Sequence, residues 1–110
     1  MTETVVPRRD TVPLDHRLLS LSLSEVATFL ALIDHGGFTT AARALHLSQP
    51  GVSSRVRRLE SALGVELVDR SVRGLSLTRA GVAFEPHARA LLACIAAGYT
   101  VTRPRPRPRR

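Results

Sequence analysis

Apolar positions recur along this chain with a helical rhythm, broken once by a short stretch of alternation. Val26, Phe29, Leu30 and Ile33 stand at i, i+3, i+4 and i+7, the spacing that lines one face of a helix. Ser22-Leu23-Ser24-Glu25 ahead of them has the form of a capping box, in which hydroxyl and carboxylate each accept from the other residue's exposed backbone N–H. Leu21 and Val26 occupy the staple positions around it, and Gly36-Gly37 supplies the left-handed stop. A shorter helix is expected after Thr39 or Thr40 as cap, running to about Leu45, with His46 in the turn. Ser48 then caps a third helix, where Pro50 is tolerated because the first turn needs no intrahelical donor. Val52, Val56, Leu59 and Leu63 form its buried stripe, and Gly64 ends it.

The rhythm changes to period two over Val65-Glu66-Leu67-Val68-Asp69 and again over Leu75-Ser76-Leu77. Arg70-Ser71-Val72-Arg73-Gly74 joins them tightly, so the pair predicts a small hairpin, or wing. Thr78 caps a further helix, in which Phe84, Ala88, Leu91 and Ile95 form a seam for another helix and Leu92 widens it. Pro86 falls early enough in this helix to bend it without breaking it, and Gly98 is expected to end it. Arg-Pro alternation from Arg103 to Pro108 favours an extended, polyproline-like tail. At the other end, Pro7, Pro13 and scattered charge imply a mobile extension, with Leu14, Leu18, Leu19 and Leu21 able to form a helical turn that leans on the domain.

The two central helices have the layout of a helix-turn-helix. Leu45, Leu47, Val52, Val56 and Leu59 supply its shared core, while Ala41 and Ala42 allow a close crossing. Gln49, Ser53, Ser54, Arg55 and Arg58 are left largely on the outer side. Amides and guanidiniums suit base edges, and hydroxyls suit phosphates or bases.

Composition narrows the function classes. The 110 residues hold one small domain, and the formal charge is +7. Taking Arg103, Arg105, Arg107, Arg109 and Arg110 from that figure leaves +2, so the excess is mostly a tail property. Every cation other than histidine is Arg, which selection for bidentate phosphate contacts and a GC-rich coding bias would both produce. Cys94 is alone, which rules out an internal disulfide or a cysteine-rich metal site, and its simplest role is a small apolar residue on a helix. His35 and His46 have no cysteine or carboxylate cluster around them, so no metal and no cofactor are expected. No long apolar run or signal-peptide core is present; the expectation is a soluble, cytoplasmic, nucleoid-associated protein without a membrane partner. Nucleophile, base and orienting group do not recur together and no glycine loop follows a strand, so an enzyme is not expected.

Phe38 through Glu60, the stretch Leu63 to Arg70, and Arg73-Gly74-Leu75-Ser76-Leu77-Thr78-Arg79-Ala80-Gly81 together resemble the amino-terminal DNA-binding region of LysR-type bacterial transcription regulators. The resemblance runs without a gap over roughly residues 23 to 93. It implies a mainly α fold: a winged helix-turn-helix with a short two-stranded wing and a carboxy-terminal linker helix, used as a dimer on an interrupted inverted repeat. Residues 1–20 are then a flexible extension, 21–78 the DNA-binding domain, 79–97 the linker and dimerisation helix, and 98–110 a disordered Arg-Pro tail. Ser48, Gln49, Pro50 and Ser53 fall on the family's groove-facing start of the recognition helix, and Arg73 on the wing arginine that enters the minor groove.

Two positions depart from the family's pattern. Ser54 stands where a base-reading arginine is usual, and Arg55 can reach the groove only from about 100° further around the helix. Val68 replaces the usual phenylalanine, which thins the packing under the wing. The expected interface with double-stranded DNA comprises Ser48, Gln49, Pro50, Ser53, Ser54, Arg55, Arg58 and Arg73, joined by Thr39 and Arg43. Arg57 is either a phosphate contact or solvated surface charge, and Arg70 either a phosphate contact or an ion-pair partner of Asp69.

Family members continue into an effector domain, so a chain of this length is expected to have no small-molecule inducer site. Phe84, Ala88, Leu91, Leu92 and Ile95 are the expected surface for a weak homodimer, or for a heterodimer with a full-length relative. Autonomous sequence-specific DNA binding, modulation of such a relative, and a non-functional truncated remnant all remain open at this level. The tail is either a non-specific nucleic-acid arm or read-through sequence.

Overall fold

A computed structural model describes residues 15–104 as five helices: α1 (His16–Leu19), α2 (Leu23–Asp34), α3 (Phe38–Leu45), α4 (Gln49–Leu63) and α5 (Arg79–Thr102). Asp15 caps α1 by accepting the Arg17 N–H at 2.9 Å, and Ser20 closes the turn by donating its hydroxyl to the Arg17 carbonyl at 2.7 Å. The end of the extension is thus an ordered helical turn, and it packs on α4. Residues 1–14, including Leu14, lie outside the described residues.

The capping box forms as expected. Glu25 N–H donates to Ser22 Oγ at 3.1 Å, and Ser22 N–H to Glu25 Oε1 at 3.4 Å. On α2 the buried set is broader than one stripe: Val26, Phe29 and Leu32 are fully enclosed, whereas Ile33 is only half-buried. The reason is that α2 packs against α3 and α4 on one side and α5 on another.

Three helix ends need correction or refinement. α3 starts at Phe38 with Gly37 as cap and no side-chain cap; Thr40, inside the helix, turns its hydroxyl back to the His35 and Gly37 carbonyls. His46 ends α3 in the left-handed conformation, with φ of 56°, and the Leu47 N–H then reaches the Ala42 carbonyl at 2.9 Å. α5 does not stop at Gly98 but runs to Thr102. A glycine inside a helix costs only about 0.5–1 kcal/mol relative to alanine. The actual stop is Pro104, which forces Arg103 into an extended conformation with ψ of 138°. Residues 98–102 therefore belong to the helix, and the remaining Arg-Pro tail, residues 105–110, lies outside the described residues. Pro86 sits exposed within a continuous helix.

Among the described residues the wing contains no strand, only one antiparallel bridge between Val68 and Leu77. Asp69 N–H donates to the Ser76 carbonyl at 2.8 Å and Thr78 N–H to the Leu67 carbonyl at 3.0 Å. The Leu67 and Val68 N–H groups are instead taken by Glu60 Oε2, at 2.7 and 3.2 Å. Side-chain anchoring to α4 thus does work that a longer ladder would otherwise do. Val68 is buried in the core despite its small size.

Candidate nucleic-acid interface

The amino end of α4 is exposed at Ser48, Gln49 and Pro50. Ser48 accepts the Gly51 N–H at 3.0 Å as helix cap. Gln49 donates its side-chain amide to the Thr39 hydroxyl, which ties the start of α4 to exposed α3. Thr39 in turn lines, with Gly36, Gly37, Phe38, Thr40 and the wing glycine Gly74, a depression of about 340 Å³. The start of α4, α3 and the wing tip therefore meet on one continuous surface. Arg73, next to Gly74 with its φ of +80°, is exposed there, and Arg43 is exposed in the last turn of α3.

The next turns of α4 differ from the outward reading. Ser53, Ser54 and Arg55 are half-buried, and Arg55 donates Nη1 to the Ser24 hydroxyl. Its guanidinium is thereby drawn toward the amino end of α2, about 100° around α4 from Ser54. Arg57 and Arg58 are exposed. Of the expected interface residues, Gln49, Thr39 and the wing are brought together, Ser53, Ser54 and Arg58 share a groove with Pro50, and Arg43 is exposed and outside every ion pair among the described residues.

Arg70 does not pair with Asp69. Its Nη1 lies 2.9 Å from Glu60 Oε1, and its guanidinium stands 5.9 Å from the Phe38 ring centre. Nε and Nη2 of Arg70 are buried without an acceptor. This arginine is spent inside the domain, leaving it unsuited to phosphate. The Asp69 carboxyl is instead held below its ordinary range by hydrogen bonds from the Ser71 hydroxyl and Ser71 N–H. Ion pairs among the described residues involve only Arg70 and Arg89, so Arg17, Arg43, Arg57, Arg58 and Arg73 have no carboxylate within 4 Å.

On α5 the expected seam divides. Ala88 is fully buried, Phe84 stacks obliquely on Phe29 at 5.9 Å, and Leu92 packs on the same core. These three residues pack α5 on the core shared with α2, Ala88 being enclosed there while Phe84 and Leu92 are half-buried. Leu91, Ile95 and Tyr99 remain 40%, 49% and 59% exposed on successive turns. Arg89 adds a fork to Asp34, at 2.6 and 3.4 Å, and reaches Glu85 at 3.0 Å.

Sequence reasoning missed Glu60 and Arg17. Glu60 was visible only as the last residue of a family-like stretch, while Arg17 lay in an extension whose ordering signal was the leucines around it, with Asp15 supplying the cap. Among the described residues no three His, Cys, Asp or Glu side chains are grouped to hold a metal, and no helix is long and apolar enough to cross a membrane.

Residues 23–82 match the family described as bacterial regulatory helix-turn-helix proteins, lysR family. The transcriptional regulator TfdT of Cupriavidus pinatubonensis is 39% identical over 75 residues, which are 68% of this chain and 33% of that protein. The chain thus spans about a third of that relative's length. Among solved structures, the BenM DNA-binding domain in complex with catB site 1 DNA has a TM-score of 0.71 at 30% identity, covering 74% of this chain and 88% of that one. DarR of Vibrio fischeri, also in complex with DNA, has a TM-score of 0.70 at 36% identity, covering 73% of this chain and 27% of that one.

Proposed function

The chain belongs to the LysR family of bacterial regulatory helix-turn-helix proteins, and from that membership we propose that it binds double-stranded DNA sequence-specifically and regulates transcription in the cytoplasm, on the nucleoid. The observation that carries this reading is the continuous surface from Gln49 through Thr39 to the wing tip. Gln49 and Pro50 at the amino end of α4 enter the major groove, with Ser53 and Ser54 beside them. The Thr39 contact fixes the Gln49 amide, so the side chain meets a base edge already oriented. Arg73 enters the adjacent minor groove from the wing, and Ser48, Arg43, Arg55 and Arg58 supply the flanking polar and phosphate contacts. Two copies pair weakly through Leu91 and Ile95 on α5.

Gln49→Ala tests the assignment. It should reduce discrimination between a selected site and random duplex by about 1–3 kcal/mol, measured by competition binding. Equal losses on both duplexes would refute base reading by this residue.

A further inference from the structure

The surface behind the reading edge contains a second feature of the same sign. A groove of about 640 Å³ runs between α1 and α4 and is lined by Arg17, Ser20, Ser53, Ser54, Arg57 and Arg58. Pro50 and Ala62 are its only apolar residue types, the aliphatic stems of the arginines supplying further apolar surface beneath their charged heads. None of its three guanidiniums has a carboxylate within ion-pair distance among the described residues. The one acid in its wall, Glu25, is buried and engaged by the Ser22 N–H. Asp15, near Arg17, is committed to the Arg17 N–H as helix cap.

Like charges gathered around an open groove raise the local concentration of anions. Pro50, Ser53 and Ser54 belong both to this groove and to the proposed reading end of α4, so it continues outward from that end. An anion entering there would be part of the polymer already engaged by α4. Duplex DNA carries about one negative charge per 1.7 Å of its axis, so a backbone lying in the groove would offer phosphates to Arg57 and Arg58 on α4 and to Arg17 on α1.

We propose that α1 and α4 form a phosphate-binding groove for the sugar–phosphate backbone of the bound duplex, with Arg17 as its outer cation. The inference rests on the DNA-binding reading above. The family match begins at residue 23, so α1 is an element outside it, and Arg17 enlarges the footprint that the helix-turn-helix and wing provide. The Arg17 guanidinium lies by the carboxyl end of α4, where Nη1 is 3.5 Å from the place a Cβ on Gly64 would take. The negative end of the helix dipole favours a cation there. A purely structural role at that helix end would affect stability alone, whereas a phosphate contact also releases counterions.

The test is a salt series on the full chain with a fluorescein-labelled random-sequence duplex, read by anisotropy, with thermal unfolding followed in parallel. Arg17→Ala should lower the slope of log affinity against log salt by about 0.9, the value for one phosphate contact on duplex DNA, and Arg17→Lys should retain the wild-type slope. A wild-type slope in Arg17→Ala, whether or not its unfolding midpoint falls, overturns the groove while leaving the DNA-binding reading intact. Failure of the wild-type chain to bind duplex at low salt overturns both.

Discussion

Glu60 binds the Arg70 guanidinium at 2.9 Å through one carboxylate oxygen while the other accepts the Leu67 and Val68 N–H groups at 2.7 and 3.2 Å. A single buried side chain on α4 thereby fixes the base of the wing. The placing of the wing against α4, the two elements proposed to face DNA, is set by this carboxylate together with the Val68–Leu77 bridge.

Glu60→Ala should therefore destabilise the domain by about 3 kcal/mol, the lower end for a broken buried ion pair, because Arg70 retains some access to water. Urea unfolding measures the loss. Glu60→Gln should cost less, since its carbonyl oxygen still accepts from the two backbone donors. Equal costs for both variants would assign the effect to the ion pair alone.

Two glycines on α5 should respond oppositely to alanine. A Cβ on Gly81 would lie 2.1 Å from the Leu67 carbonyl oxygen, so α5 is in backbone contact with the base of the wing. Gly81→Ala should cost at least about 1–3 kcal/mol, the range for overpacking. At Gly98 nothing lies within 4 Å of the added atom, and Gly98→Ala should stabilise by about 0.4–1 kcal/mol. Melting curves of the two variants that shift in the same direction would contradict this account.

What the sequence revealed depended on the separation of the interacting groups. The Ser22–Glu25 capping box is local and was legible in full, as was the Ser48 cap with Pro50 in the following turn. Glu60 acts on residues seven to ten positions away, across a change of direction that no periodicity encodes. Pairing Arg70 with Asp69 was a misleading expectation because the Asp69 carboxylate is taken by Ser71, while Arg70, in the turn that follows, reaches back to Glu60 on α4. The stripe on α5 was legible as a stripe, but not its owner: Phe84, Ala88 and Leu92 are claimed by α2 of the same chain. The end of α5 was misassigned because glycine only weakens a helix, whereas Pro104 constrains the residue before it.

Arg73 stands exposed beside Gly74 at the wing tip, with no carboxylate partner among the described residues. Narrow A·T-rich minor grooves concentrate negative potential, so an arginine placed there gains most on such flanks. Arg73→Ala should weaken binding several-fold on sites with A·T-rich flanks and less on G·C-rich ones, in titrations at one salt concentration. Uniform binding across both sets would leave the wing with a structural role only.

Dimerisation is expected to be weak because three of the five seam residues pack against the chain's own core, Ala88 enclosed and Phe84 and Leu92 half-buried. Leu91 and Ile95, followed by Tyr99, are what the seam leaves exposed on α5, which also exposes Val82 and Val101 nearer its two ends. Burying a leucine or isoleucine contributes roughly 1.5–3 kcal/mol, while association first costs at least about 4 kcal/mol of lost rigid-body freedom. A seam this short should give a dimer that dissociates on dilution, and paired DNA half-sites then supply the remaining coupling by holding two copies together. Leu91→Arg places a charge at the amino-terminal end of the exposed stripe and should abolish cooperative binding to paired half-sites while sparing single-site affinity. Leu91 has no place in the DNA-facing surface, so a loss on single sites as well would indicate a disrupted fold. Sedimentation showing a stable dimer at nanomolar concentration, or cooperative binding retained by Leu91→Arg, would locate the interface elsewhere on the molecule.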